Sequence, residues 1–192
     1  MDPQQLQATI AAVKAGSAEG YQVLLEAYGP RLYGYFFRAT SSRHDAEDML
    51  GELMLRLIRQ LKNYDDRGRF ESWLFRIAAN MVRDRIRRMR SNPGPVSLSV
   101  EGESGQSLAD QLGGKDKPIG SGLVAGETSH EVTAALEKLD VLTREMILLR
   151  YFGELSFKEL ADIFQCPLGT VLARVHRGLR ALRQIMGNGA NK

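Results

Sequence analysis

Apolar residues recur at helical spacing through most of the chain, and no stretch alternates convincingly as a strand would. Leu6, Ile10 and Val13 mark a first helix, which Gly16-Ser17 breaks. Tyr21, Leu24, Leu25, Tyr28, Leu32, Tyr35 and Phe36 carry the pattern on to residue 38. Pro30 falls inside that run, either in the first turn of a further helix or as a kink. Met49, Leu50, Leu53, Met54, Leu57, Ile58 and Leu61 place a broad apolar stripe on a helix over 44–62. Its acidic start (Asp45, Glu47, Asp48) and basic end (Arg56, Arg59, Lys62) complement the helix dipole. Residues 63–68, Asn-Tyr-Asp-Asp-Arg-Gly, are turn chemistry. A further helix over 71–88 would bury Trp73, Leu74, Ile77, Ala78 and Met81.

The pattern stops at Ser91. Residues 91–127 are rich in Gly, Ser and Pro, hold no aromatic residue, and read as a flexible linker with at most a short helical turn near 108–112. Order resumes at Thr128, where Thr128 and Glu131 fit a capping box ahead of Val132, Ala135, Leu136 and Leu139. Thr143 suits the cap of a helix over 144–152 that Gly153 ends. Ser156 and Glu159 form a second capping box for a short helix through Ile163-Phe164, and Pro167 suits the first position of the last helix. The predicted fold is all-α: a helical domain over 1–90, a linker over 91–127, a second helical domain over 128–187 and a tail over 188–192.

Composition narrows the setting. No run approaches the ~18 apolar residues of a membrane span, and the N-terminus lacks the basic start and apolar core of a signal peptide. The single cysteine, Cys166, excludes an internal disulfide and suits a reducing cytosol. Three scattered histidines argue against a zinc site, and neither a metal nor any cofactor is expected. The net charge of +3 says little, but residues 83–90 (Arg-Asp-Arg-Ile-Arg-Arg-Met-Arg) and Arg174, Arg177, Arg180 and Arg183 form two local basic surfaces. Each suits a polyanion partner, or is simply a solvated helix face.

The short helix over 156–164, its turn and the helix over 167–184 have the form of a helix-turn-helix. With Val171, Val175, Leu179 and Leu182 inward, Gly169, Thr170, Ala173, Arg174 and Arg177 lie outward. Arginine on such a face can grip guanine bidentately or neutralise phosphate. The competing reading is an ordinary helical hairpin with a basic outer face. The motifs Leu142-Thr143-Arg144-Glu145, Leu149-Arg150-Tyr151-Phe152, Phe157-Lys158-Glu159-Leu160-Ala161, Cys166 to Val171 and Arg174-Val175-His176-Arg177 resemble region four of bacterial RNA polymerase sigma factors, nearest the extracytoplasmic-function group. The resemblance implies recognition of the minus-thirty-five element and contact with the polymerase flap. Leu172 and Ala173 stand where that family often has Lys and Ser, which shifts the base preference.

In the N-terminal half, Arg76, Asn80, Arg83 and Arg87 recur on the side away from the predicted core. Tyr64, Arg67, Arg69 and Phe70 precede them, a mixture able to cradle an unstacked base, although Phe70 and Trp73 suit a core equally well. Asp45, Asp48 and Glu52 would serve a metal or acid–base site only with partners that the sequence does not supply. A solvated or partner-facing helix start is the plainer reading. Residues 45–50 with Glu52, and residues 70–80 with Arg83-Asp84-Arg85, resemble sigma region two. The resemblance implies docking of Asp45, Glu47, Asp48, Met49 and Glu52 on the polymerase clamp helices. It implies minus-ten melting by Tyr64, Arg67, Arg69, Phe70, Arg76, Asn80, Arg83 and Arg87. Gly51 replaces the usual glutamine. The function expected is promoter-specific initiation with core RNA polymerase and promoter DNA as partners, an anti-sigma protein as a candidate partner, and no catalysis. A stand-alone regulator would instead need a dimerisation helix, which is not evident.

Overall fold

The computed structural model describes residues 1–65, 68–91 and 124–189, and every regular element among them is an α-helix. The N-terminal half holds α1 (Pro3–Lys14), α2 (Ala18–Thr40), α3 (Arg43–Leu61) and α4 (Phe70–Ser91). The C-terminal half holds α5 (Val124–Glu137), α6 (Val141–Phe152), α7 (Phe157–Phe164) and α8 (Leu168–Gly189). Most of the predicted linker, its suggested turn, and residues 190–192 lie outside the described residues.

Side-chain caps start the helices. Asp2 accepts the Gln5 amide at 2.8 Å, Ser17 that of Gly20 at 3.2 Å, and Ser42 that of Asp45 at 3.2 Å. Each satisfies an amide that the helix leaves orphaned, worth about 1 kcal/mol. Gly16, with φ +87°, makes the left-handed turn between α1 and α2. α2 runs through Pro30 as one helix, so the proline does not begin a new element. Leu24, Leu32, Tyr35 and Phe36 of α2, Leu50, Leu53, Leu57 and Leu61 of α3, and Leu74, Phe75, Ala78 and Val82 of α4 fill the N-terminal core.

Two predicted helix starts move. α5 begins at Val124, which leaves Thr128 inside the helix rather than at its N-cap. α6 is capped by Asp140, not Thr143: the Asp140 carboxylate accepts the Thr143 amide at 3.0 Å, and Thr143 is buried one turn in. Asx chemistry at Asp140 outcompetes a threonine three residues later because it also satisfies the earlier amides. The Ser156–Glu159 capping box forms as expected. Gln165 closes α7 in the left-handed region, φ 49°, and so sets the tight turn into α8. α8 crosses α6 at Gly178, where a Cβ would fall 2.4 Å from Thr143 Cγ2 and 2.7 Å from Ile147 Cδ1.

The halves do not hang separately. α6 packs across α2 and touches α4, and the apolar core is continuous from one half to the other.

Candidate nucleic-acid interface

On α8, Val171 and Val175 are buried against α6 and α7, which fixes the outward face. Gly169, Thr170, Ala173 and Arg177 are exposed along it, as the spacing predicts. The Arg177 guanidinium folds back to donate to the Ala173 carbonyl at 3.2 Å. Arg174 is half-buried and donates to Asp140 at 3.1 Å. The Thr143 hydroxyl, the cap amides and Arg174 together hold the Asp140 carboxyl below its ordinary pKa. Nothing lies within 4 Å of a Cβ placed on Gly169, so a backbone or phosphate can approach this helix start closely.

On α4, Arg76, Asn80 and Arg87 are exposed on the side opposite Leu74, Ala78 and Val82. Arg87 pairs with Asp84 one turn back. Arg83 departs from this stripe. It is only part-exposed, lies 2.9 Å from Glu145 of α6, and its guanidinium sits over the Phe164 ring, 4.6 Å from the centroid. Arg69 is exposed, and Arg67 lies outside the described residues.

The aromatic cluster corrects the base-cradle expectation. Phe70 is core, 1% exposed, between Tyr28 and Tyr64. Tyr64 lies against Trp73 with centroids 4.3 Å apart, so one of its faces is already covered. Phe70 therefore positions the turn and does not offer a free face; Tyr64 remains half-exposed.

On α3, Met49 is also corrected. Its side chain is 5% exposed, so it supports the helix from inside and is not presented to a partner. Asp48 and Glu52 are exposed, and Asp45 and Glu47 are half-buried. Asp45 pairs with Arg85 of α4, Asp48 lies 3.4 Å from His44, and Glu52 pairs with Arg56. Asp45, Asp48 and Glu52 thus each face a basic group. Among the described residues no group of three or more His, Cys, Asp or Glu is placed to hold a metal ion. Leu55, 59% exposed, and Gly51, with open space around its Cβ, lie on the same helix and extend its exposed face beyond the acidic residues.

Sequence reasoning missed a polar group between the halves. Glu145 is 4% exposed on α6 and faces Arg83 from α4 and Tyr35 from α2. Burial pushes the Glu145 carboxyl up to about 7 against the opposing pull of Arg83. Burial, then Glu145, pushes the Tyr35 hydroxyl well above its ordinary value. Glu145 sits in the apolar row Val141, Glu145, Leu148 and Phe152, and a charge at a core position was the signal available.

A helix-turn-helix with an exposed polar face, beside a second helix with a basic stripe, is the architecture of a DNA-binding protein. Residues 24–92 match the family described as Sigma-70 region 2, and residues 129–182 match Sigma-70, region 4. The ECF RNA polymerase sigma factor SigW of Bacillus subtilis (strain 168) is 31% identical over 91% of this chain and 93% of its own length. The ECF RNA polymerase sigma-E factor of Escherichia coli (strain K12) is 27% identical over 92% of this chain and 91% of its own. The sigma factor RpoE from Bartonella quintana, solved with the anti-sigma factor NepR, shares the fold. It has a TM-score of 0.63 and 22% identity over 88% of this chain and 98% of its own. The chain belongs to the extracytoplasmic-function group of RNA polymerase sigma factors, proteins that direct promoter-specific transcription initiation and are not themselves enzymes. Among the described residues no helix is long and apolar enough to cross a membrane.

Proposed function

We propose a division of labour among three surfaces of this sigma factor. The exposed start of α8 (Gly169, Thr170, Ala173, Arg174, Arg177) reads the minus-thirty-five element. The α4 stripe (Arg76, Asn80, Arg87), with Tyr64, Arg67 and Arg69 before it, holds the melted minus-ten strand. The outer face of α3 (Asp45, Glu47, Asp48, Glu52) docks on the polymerase clamp, and the C-terminal half meets the flap. The observation that carries this is the exposure of Arg76, Asn80 and Arg87 on one helix and of Gly169, Thr170, Ala173 and Arg177 on another, each opposite a buried apolar row.

No chemistry is required of the chain. Melting draws on binding energy, because capture of unstacked bases offsets the few kcal/mol of unstacking. Two weak DNA contacts become strong once both halves sit on polymerase, since the second binds at high effective concentration. The working place is the bacterial cytoplasm. An anti-sigma protein is a candidate partner, a reading supported by the neighbour solved with an anti-sigma factor. The test is binding of the purified chain to promoter duplex with and without core polymerase. Tight binding appears only with core. Tight, specific binding without it would refute the division of labour.

A further inference from the structure

α6 and α8 approach closely where Gly178 lies against Thr143 and Ile147. One turn earlier along each helix, Asp140 meets Arg174: the guanidinium Nη1 donates to Asp140 Oδ1 at 3.1 Å. The same oxygen accepts the Thr143 amide at 3.0 Å, the bond that caps α6. A side chain fixed by a cap is a rigid post, because turning it away would orphan the amide. The Thr143 hydroxyl first, then the cap amides and Arg174, hold its carboxyl below the ordinary pKa, so the post is charged at neutral pH. Arg177, the other arginine of the outward face, instead folds back on the Ala173 carbonyl of its own helix. The Asp140–Arg174 pair is open to water, with side chains 60% and 34% exposed, so it adds little to folding stability. Its consequence lies where α8 meets DNA.

We infer that Asp140 is a positioning residue for upstream specificity: it aims the Arg174 guanidinium at a base edge and weakens the grip of that arginine on phosphate. This rests on the assignment of Arg174 to the minus-thirty-five element. Asp140 engages Nη1, which leaves the Nε–Nη2 edge for O6 and N7 of a guanine. Ordering a long side chain at an interface is costly, and a guanidinium that is already held loses less freedom when it binds. The fixed negative charge acts on the other side of the balance. Contacts to phosphate depend on positive charge and not on sequence. A carboxylate 3.1 Å from the guanidinium cancels much of that charge toward the DNA backbone, at every sequence alike. Base reading keeps its geometry while random binding weakens, and the ratio of the two rises.

The test compares the native chain, Asp140→Asn, Arg174→Ala and the double variant, each bound to core polymerase, on a promoter library randomised across the upstream element. Asparagine caps a helix as well as aspartate does, so Asp140→Asn keeps α6 and removes only the charge; thermal melts by circular dichroism check this. In Asp140→Asn, enrichment at one upstream base pair falls about fivefold, the order expected when one long side chain loses its pre-set orientation. The full-length Asp140→Asn chain binds random-sequence duplex at low salt about threefold more tightly than the native chain, and its slope of log affinity against log salt steepens by about one. In the Arg174→Ala background, Asp140→Asn lowers the enrichment no further, because it acts through that arginine. A further loss in that background would overturn the inference. So would an enrichment that holds or rises in Asp140→Asn while Arg174→Ala lowers it, and this outcome leaves Arg174 standing as a base reader. Unchanged binding of random duplex by Asp140→Asn would overturn the role against phosphate. Native enrichment in Arg174→Ala would overturn the assignment of Arg174, and the inference with it.

Discussion

Titration of Glu145 should control how tightly the two halves close. The perturbation is a pH change from 5 to 8 on the full chain carrying energy-transfer dyes at Gln60→Cys on α3 and Gln184→Cys on α8 in a Cys166→Ser background. In the closed form Glu145 is 4% exposed and its carboxyl is pushed by burial up to about 7; once the halves part it returns to an ordinary carboxylate near 4.5. A raised carboxyl pKa means that the closed form holds its proton more tightly. The stabilisation of the closed form is therefore complete below pH ~4.5 and lost as pH rises through about 7. The difference is worth about 3 kcal/mol, so the open-to-closed ratio should climb on the order of a hundredfold across the range. The groups facing Glu145 are Arg83 on α4 and Tyr35 on α2, with Arg144 beside it on α6, and the Tyr35 hydroxyl, pushed up by burial and then by Glu145, stays neutral in this window. Glu159, whose carboxyl lies below its ordinary value, loses its contribution at the acid end and so opposes the trend only there. Glu145→Gln separates the contribution of this carboxyl from every other group. That variant stays closed at pH 8 and loses most of the pH dependence. An energy-transfer profile that is flat in the native chain, or identical in Glu145→Gln, would refute the reasoning.

Three further outcomes follow from particular contacts. Gly178→Ala drives a methyl into Thr143 and Ile147; the overpacking cost of about 1–3 kcal/mol exceeds the ~1 kcal/mol gain in helix propensity, so the urea midpoint falls. Gly51→Ala meets open space and gains that propensity alone, so stability rises by about 1 kcal/mol; a fall would mean that α3 is not as described. Arg174→Ala loses only an exposed pair with Asp140 and leaves stability within about 0.5 kcal/mol, while promoter discrimination at the upstream element relaxes by about 1–3 kcal/mol. An unchanged profile across upstream sequences would remove Arg174 from base reading.

The helices were legible because their apolar rows are regular and their breaks fall at Gly16-Ser17, residues 63–68 and Gly153. The outward face of α8 followed from the same period, because Val171 and Val175 leave only one side for Gly169, Thr170, Ala173 and Arg177. Residues of mixed character were harder. Met49 and Phe70 carry side chains that serve a core or a partner equally, and only packing assigns them to the core. The contact between the halves was least legible. It joins residues such as Gly34 and Phe152, far apart in sequence, and no local period encodes it. Two oddities mark it in retrospect: a glycine inside α2, costly for a helix, and a glutamate in the apolar row of α6. Arg83 shows the consequence. Its spacing places it on the α4 stripe, yet Glu145 and Phe164 draw it between the halves.

The central claim is that this chain gives core RNA polymerase a promoter preference through two separate DNA surfaces. Run-off transcription with core polymerase on a promoter library tests it most directly. With the native chain, a small set of templates sharing an upstream and a minus-ten element should yield discrete transcripts. Arg174→Ala should blur the upstream preference, and Asn80→Ala should impair opening at every one of these templates. Absence of any template-specific transcript with folded protein and active core would contradict the account, as would an upstream and a minus-ten preference that shift together in both variants.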